Sequence, residues 1–520
     1  MRIFTAKDLM AAEKESMARE GITSTELMER AADLVFRYVH ALVEDTETKV
    51  KVFCGIGNNG GDGLAVSRKL IEAGVDVEVY VVNFSNKRSQ DFLIQYDLIK
   101  SRTGKWPVVL NKQDEVPGIE PGDIVVDAIF GIGLNRPVPR WVGGLIQNIN
   151  DSFNYYTLSI DVPSGMFVDE PTPNGSPILK AHTTLTFHAP KLPFFFPDTG
   201  PAAGNFFVLD LDLDPEVFDE YEVVGTYIER PLIQNIYKLR NRFSHKGTYG
   251  HALLIGGSNG KMGSIYLSAA ACLRVGAGMA STYIPQCGSQ IMQISLPEAM
   301  VITGKGIQYI EDIKYDIEPR AICFGPGAGT NPETAEAFRD LIENAKGPLV
   351  IDADGLNLLV EDSDLFEILP AGSILTPHPK ELERLIGSWE NDFEKLEKAW
   401  DFSMAFDLIL VMKDAFTMTL SRGQVFVNST GNAGMATAGS GDVLAGVITG
   451  LLAQGHPPEI AAVFGVYLHG LAGDIASREY SPEAMLAGDI VTCLGKAYRN
   501  LYNDLIDDVD DEDWDFDPGL

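Results

Sequence analysis

The chain has 520 residues, 45% of them hydrophobic and 22% charged, which is ordinary globular material with enough apolar residues for two large cores. Acidic residues outnumber basic ones 73 to 41, giving a formal charge of −32 that excludes a general nucleic-acid binder, because phosphate backbones are held by an excess of cations. Five scattered cysteines without a CxxC pair, and eight histidines without HExxH spacing, speak against a disulfide frame and a zinc site.

The first turns carry Lys7, Asp8, Glu13, Lys14 and Glu15, unlike the apolar core of a signal peptide. Thr5 is predicted to cap a helix with Leu9, Met10 and Met17 at roughly helical spacing, and Thr25 to cap a second one through Val39. Lys49 to Gly55 then reads as a strand, followed by GNNGGDG, an apolar-faced helix to Ala73, a Gly74 stop and a strand from Val75 to Val82. That succession is a βαβ unit. Two more predicted strands, Asp123 to Ala128 and Tyr156 to Ile160, each run into a Gly- or Pro-bearing loop with carboxylates, the pattern of an open parallel sheet with its site at the strand ends. The first domain, residues 1–222, reads as a Rossmann-like three-layer α/β fold.

Past an acidic stretch between Leu211 and Asn241, HKGTYGHALLIGG opens a second α/β series, residues 223–505. Its predicted strands are Ala252 to Ile255, Met279 to Ile284, Ala321 to Phe324, Leu349 to Ile351 and Leu408 to Met412. GIGNNGGDG and GGSNGKMGS both join strand to helix, as most loops in such sheets do, so no internal duplication is inferred. Residues 506–520 contain the mostly carboxylate run Asp507 to Asp517, expected to be a solvated tail. The longest weakly polar stretch, Val443 to Gly455, is shorter than the ~20 apolar residues a bilayer span needs, so a cytoplasmic protein without a membrane partner is expected. Self-association into a homo-oligomer is expected on general grounds.

In the first domain, the glycines of GIGNNGGDG would let backbone approach a diphosphate, although the motif is not GxGxxG, and a plain turn does not require both Asn58 and Asn59. Asp127 closes one strand before GIGLNRP and Asp161 another before VPSG. The strand ends would bring Asn59, Asp127 and Ser164 to one crevice, where oxygen ligands suit a hard cation. Each Asp taken singly has a plainer role, capping its own loop.

The densest signal is GNAGMATAGSGD, Gly431 to Asp442, opening a helix with small residues at Ala445 and Gly446. Such a helix start offers unpaired N–H groups and a positive dipole end to a phosphate. Asp442 would repel phosphate there, which makes it a general base for a nearby hydroxyl, or else simply a stabiliser of the helix end; GSGD alone does not separate the two. KDAFT, Lys413 to Thr417, follows the apolar run LILVM and sets a Lys and a Thr at a strand end where a nucleotide could lie. GPGAG, Gly325 to Gly329, also follows a strand, and TPHPKE holds His378 between two prolines, fit for substrate contact at most.

In this order, HKGTYGHALLIGGSNGKMG, GPGAG, DADGLN, TPHPKE, KDAFT and NAGMATAGSGD resemble the ribokinase-like dehydratase of hydrated NADH and NADPH, over about His245 to Tyr502. The resemblance implies that Ser264, Gly325, Gly327, Gly329 and His378 line the hydrated-dinucleotide site. It implies further that Lys413, Asp414, Ala415, Phe416 and Thr417, with Asn432 through Gly439, Ser440 and Gly441, bind ADP or ATP, and that Asp442 is catalytic and touches substrate. Magnesium is the usual partner of such nucleotides, though no carboxylate cage is visible. Asp414 and Lys380 each stand where Gly is common.

LMERAADLV, NNGGDG, DAIFGIGLNRP, IDVPSG and AHTTLTF, over roughly residues 1–220, are similar to the epimerase partner of that dehydratase. By that similarity Asn58, Asn59, Gly60, Gly61 and Asp62 contact the hydrated dinucleotide, as do Gly131, Ile132, Gly133, Leu134, Asn135, Arg136 and Pro137. Asn59, Asp127 and Ser164 would hold potassium and Asp161 would contact substrate; an acid/base role for Asp161 is added on chemical grounds. Ala32 stands where Gly is usual, and HAPKLPFFF departs from the pattern after Lys191. The leading expectation is one repair enzyme, an isomerase followed by a nucleotide-dependent lyase. The rivals are a ribokinase-like kinase of a small alcohol fused to a dinucleotide-binding module, separable by product analysis, and a first domain that only binds.

Overall fold

In the computed structural model, which describes residues 1–43, 48–153 and 155–510, the chain divides into two compact units, residues 1–225 with 391–393, and residues 226–390 with the described chain from Glu394. In the first unit Thr5 caps the helix Ala6–Glu20 by accepting the Asp8 N–H. Leu9 faces the core, whereas Met10, a helical step of ~100° away, is 45% exposed. The next helix, Ser24–Leu42, is capped by Thr23 and not Thr25. Thr23 accepts the Glu26 N–H and Glu26 returns a carboxylate to the Thr23 N–H, a reciprocal pair that needs an acid three residues on. Thr25 has Met28 at that offset, and its hydroxyl donates to Asp91 instead.

Among the described residues the first unit holds a seven-stranded parallel sheet in the order Val108–Leu110, Asp76–Val82, Lys49–Cys54, Ile124–Ala128, Tyr156–Ile160, Thr183–Phe187, Asn205–Leu209. The order reverses between Lys49–Cys54 and Ile124–Ala128, and in such sheets ligands bind at the carboxyl ends on either side of that reversal. GNNGGDG is not a loop before the helix, as expected, but its first turns, since the helix spans Asn58–Glu72. The reason is close approach. A Cβ on Gly63 would lie 2.5 Å from Ala128 Cβ and 2.9 Å from Cys54 Sγ, so glycine lets the helix lie directly on the two central strands.

In the second unit the strands Met300–Thr303, Met279–Ile284, His251–Ile255, Ala321–Phe324, Leu349–Ile351, Ile374–Leu375 and Ile409–Met412 pair in parallel. The alternation then breaks. Ile409–Met412, Met418–Ser421 and Gln424–Asn428 pair antiparallel, the second connection turning on Arg422 and Gly423 at φ 47° and 76°. Gly225–Ile228 adds in parallel to Gln424–Asn428. The helix Ser440–Ala453 packs on Met262–Arg274 and Pro458–Tyr480, and its buried side chains from Val443 to Ala453 join the main apolar cluster of the unit.

Val443 to Gly455 is therefore not the longest apolar stretch. Pro458–Tyr480, 23 residues, is long and apolar enough by composition to cross a membrane, and 72% of its most apolar window is buried within the fold. It is a core helix, which passes a length-and-hydropathy test for the same reason a membrane span does. The helix Ala487–Asp510 carries the start of the acidic run expected as a tail, and residues 511–520 lie outside the described chain.

Candidate functional sites

A cavity of about 440 Å3 opens at the reversal point of the first sheet. Asn58, Asn59 and Asp62 from the helix Asn58–Glu72, Gly131 through Arg136 from the next loop, and Asp161 line it, joined by Met10, Glu13, Phe84 and Phe187. Gly60, Gly61 and Pro137 are not lining residues. Gly60 sits against the Gly55 carbonyl, and a Cβ on Gly61 would meet Met28 Cε at 2.7 Å, so these two glycines serve packing.

Asp161 Oδ2 accepts the Ile132 N–H at 2.9 Å, and the residue holds φ 69°. A left-handed backbone at a non-glycine residue is strain that the surroundings impose, and such residues concentrate at functional sites. Beside the cavity Asp127 is fully buried, accepting Ser164 Oγ at 2.5 Å, the Ser164 N–H at 2.8 Å and Ser159 Oγ at 2.9 Å. Burial pushes its carboxyl up while the Ser164 bonds work the other way. Asn59 differs: both polar atoms of its carboxamide are shielded from water and have no hydrogen-bond partner. Asp62, on the same helix face, has its carboxyl pushed well up, first by burial and then by the Asp161 charge.

The second unit gathers its site around the start of the helix Ser440–Ala453. Gly439 at φ 91° turns the chain into the helix, and Asp442 sits in the first turn, half-buried, its carbonyl accepting Ser268 Oγ at 2.7 Å. Burial first, and the neighbouring Asp352 charge second, raise its carboxyl to about 6; a Ser264 hydrogen bond and Lys413 oppose this. Lys413 Nζ lies 2.9 Å from buried Asp352 Oδ1 and 4.0 Å from Glu381 Oε2, and a Cβ on Gly441 would stand 3.2 Å from that ammonium. Gly325 at φ 127° backs onto the Asp352 carbonyl, Gly327 at φ 64° onto the Lys261 carbonyl with Ser264 Cβ beyond it, and the Gly329 N–H donates to Asp354 Oδ2 at 2.8 Å. Ser264, Gly325, Gly327, Gly329, Lys413, Gly441 and Asp442 thus form one cluster.

His378 stands at the edge of that cluster, its imidazole pushed down by burial first and by the Lys413 charge second. It caps the helix Pro379–Ile386, its Nδ1 accepting the Lys380 and Glu381 N–H groups, while its own N–H donates to Glu381 Oε2 at 2.9 Å. Asp414 bonds its own neighbour, the Ala415 N–H, and lies 3.5 Å from Lys395. Asn432 belongs to a separate knot in which Asp474, from the helix Pro458–Tyr480, accepts both the Asn432 amide and the Gly431 N–H. A cavity of about 580 Å3 along the strand Met300–Thr303 contains none of the expected residues.

Sequence reasoning passed over Asp352, Asp354, Glu381, Asp474, Glu13 and Lys191. DADGLN and TPHPKE held the first three in plain view at strand ends, but which strand end faces which is a property of the sheet order. No local signal marks Asp474, Glu13 or Lys191.

A family model described as NAD(P)H-hydrate dehydratase matches residues 252–496, and one described as YjeF-related protein N-terminus matches residues 24–192. The chain is 33% identical over 519 residues to the bifunctional NAD(P)H-hydrate repair enzyme Nnr of Moorella thermoacetica, covering 96% of this chain and 97% of that one. It is also 33% identical to the enzyme of that name from Coxiella burnetii, covering 92% and 96%. Among solved structures, an ADP/ATP-dependent NAD(P)H-hydrate dehydratase from Bacillus subtilis, co-crystallised with ATP and Mg2+, is 26% identical over 53% of this chain and 99% of that one, with a TM-score of 0.47.

Proposed function

The chain belongs to the bifunctional NAD(P)H-hydrate repair enzymes, and on that footing we propose that its first unit interconverts the R and S hydrates at Asp161 while its second dehydrates the S hydrate at Asp442. It repairs hydrated NADH and NADPH by an isomerase step followed by a nucleotide-dependent lyase step. We assign residues 1–222 to epimerisation and 223–505 to dehydration, with 506–520 outside both.

Hydration leaves a hydroxyl on the ring carbon next to nitrogen. In epimerisation Asp161 accepts the hydroxyl proton as the carbon–nitrogen bond opens to an aldehyde, passes it to the ring nitrogen, and closes the ring on the other face by the reverse steps. The Ile132 N–H fixes one carboxylate oxygen for this transfer.

In dehydration hydroxide is a poor leaving group, and bound ADP or ATP supplies the phosphoryl group that makes it a good one. Asp442, whose carboxyl burial raises to about 6, takes the hydroxyl proton. The amides at the start of Ser440–Ala453 and the Lys413 ammonium face the negative charge that develops beside them. The ring nitrogen then expels phosphate, and loss of a proton from the adjoining ring carbon restores the reduced ring.

Potassium suits the first unit by donor chemistry: the Asn59 carboxamide oxygen, which has no hydrogen-bond partner, and the oxygens of Asp127 and Ser164 are of the class a hard monovalent cation takes. Magnesium suits the second as a companion of nucleotide phosphates. A homo-oligomeric, cytoplasmic enzyme completes the proposal, and light scattering on the purified chain tests the first part.

The observation that carries this reading is Asp442 in the first turn of Ser440–Ala453, with Lys413, paired to Asp352, close by. Purified protein given hydrated NADH with ADP or ATP in turn should regenerate the reduced-nicotinamide absorbance and consume both epimers. Accumulation of a stable phosphate ester, or recovery independent of nucleotide, would overturn it.

A further inference from the structure

Beneath the first-unit cavity lies a charge that the chemistry above does not use. Lys191, four residues past the strand Thr183–Phe187, is 1% exposed. Its Nζ is 2.9 Å from the Phe187 carbonyl, 3.0 Å from the Ala189 carbonyl and 3.4 Å from Asp161 Oδ1. Three acceptors around one amine call for three N–H donors, which the ammonium has and the neutral amine lacks. A buried ammonium in turn requires a carboxylate. Asp161 meets that need while holding a left-handed backbone, φ 69°, and its other oxygen is taken by the Ile132 N–H.

We propose that Lys191 is a positioning residue for epimerisation: tied to two backbone carbonyls, its ammonium holds Asp161 in its strained orientation and keeps it a carboxylate at the cavity wall. This rests on the reading of Asp161 as the epimerase base. Two further acids and one further cation line the cavity. Asp62 from the helix Asn58–Glu72 and Glu13 from the helix Ala6–Glu20 both line it, Glu13 lies 3.4 Å from His188 Nε2, and Arg136 stands on the opposite loop. Without Lys191, Asp161 loses its nearest cation and the tie that holds its carboxyl group at the cavity wall.

The test uses the full chain, following interconversion of separated R and S hydrates without nucleotide. Lys191→Met should lower kcat roughly 10- to 100-fold with KM changed by less than about threefold, and move the acid limb of the pH profile up by ~1 pH unit or more, as loss of an opposite charge within ~4–6 Å requires. A rate loss with an unmoved limb overturns the proposal, because a merely structural lysine would produce that. Should Lys191→Met fail to fold, the wild type and Glu13→Gln decide. Burial pushes the Lys191 ammonium down, so wild-type epimerisation should show an alkaline limb below the ordinary lysine value of ~10.4. Removing Glu13, which favours the ammonium, should bring that limb lower. A profile flat to that pH, or a limb that Glu13→Gln leaves in place, overturns it. A wild type that does not interconvert the epimers at all refutes the epimerase reading instead.

Discussion

Burial that raises the Asp442 carboxyl to about 6 acts on rate and on stability with opposite signs. With Asp442 proposed as the base, the dehydration rate should fall as pH drops through about 6, with epimerisation following a separate profile. For stability, a group whose folded value lies above its unfolded one, ~3.9, contributes fully below pH ~4 and loses that contribution as pH rises through the folded value, at most about 3 kcal/mol here. Asp442→Asn should therefore abolish dehydration while raising the thermal midpoint of the second unit at pH 8, and leave the midpoint nearly unchanged at pH 4. A midpoint that falls at both pH values would contradict it. Asp442 was legible because a glycine-rich run before an apolar helix is a local pattern. Asp352 and Glu381, the two acids around the neighbouring Lys413, were not, since 61 residues separate Asp352 from that lysine and only strand order brings them together. His378 was legible as a turn residue, but its ring spends Nδ1 on capping a helix, a role that TPHPKE announces through the Glu three positions later.

At the level of elements, glycine decides how closely helices approach. Gly446 presses against the Ser268 backbone, and a Cβ on Gly450 would lie 2.7 Å from the Cys272 carbonyl, so Ser440–Ala453 and Met262–Arg274 cross at near-contact. Gly446→Ala should part them, costing about 1–3 kcal/mol and shifting Asp442 away from Ser264; calorimetry and the dehydratase rate should both report the loss, with epimerisation intact. In the first unit Thr23→Ala should cost about 1 kcal/mol by removing one half of a reciprocal cap, whereas Thr25→Ala should cost less, and comparing their denaturation midpoints checks this. The strands that were predicted lie within a residue or two of their expected bounds, whereas Val108–Leu110, Thr183–Phe187, Asn205–Leu209, Met300–Thr303 and Ile374–Leu375 were not predicted. The antiparallel end of the second sheet was not, because apolar alternation carries no sign of direction and the Arg422–Gly423 turn signal went unread.

Taken whole, the chain is two sheets with two carboxylates that never share a unit. Asp161→Asn should therefore abolish epimerisation and leave dehydration of the pure S hydrate at the wild-type rate, and Asp442→Asn should do the converse; equal loss of both activities from either change would refute independent sites. The α/β class was legible across the whole length because strand and helix periods alternate almost without interruption. The apolar helix Pro458–Tyr480 was overlooked, and its position along the chain bears on biosynthesis. It packs on Arg230–Ile236, on the strands Ile409–Met412, Met418–Ser421 and Gln424–Asn428 and on Ser440–Ala453, all of them translated earlier; among its major neighbours only Ala487–Asp510 comes later. A segment apolar enough to be mistaken for a membrane anchor thus leaves the ribosome after most of the surface that will cover it, which shortens the interval in which insertion or aggregation competes with folding.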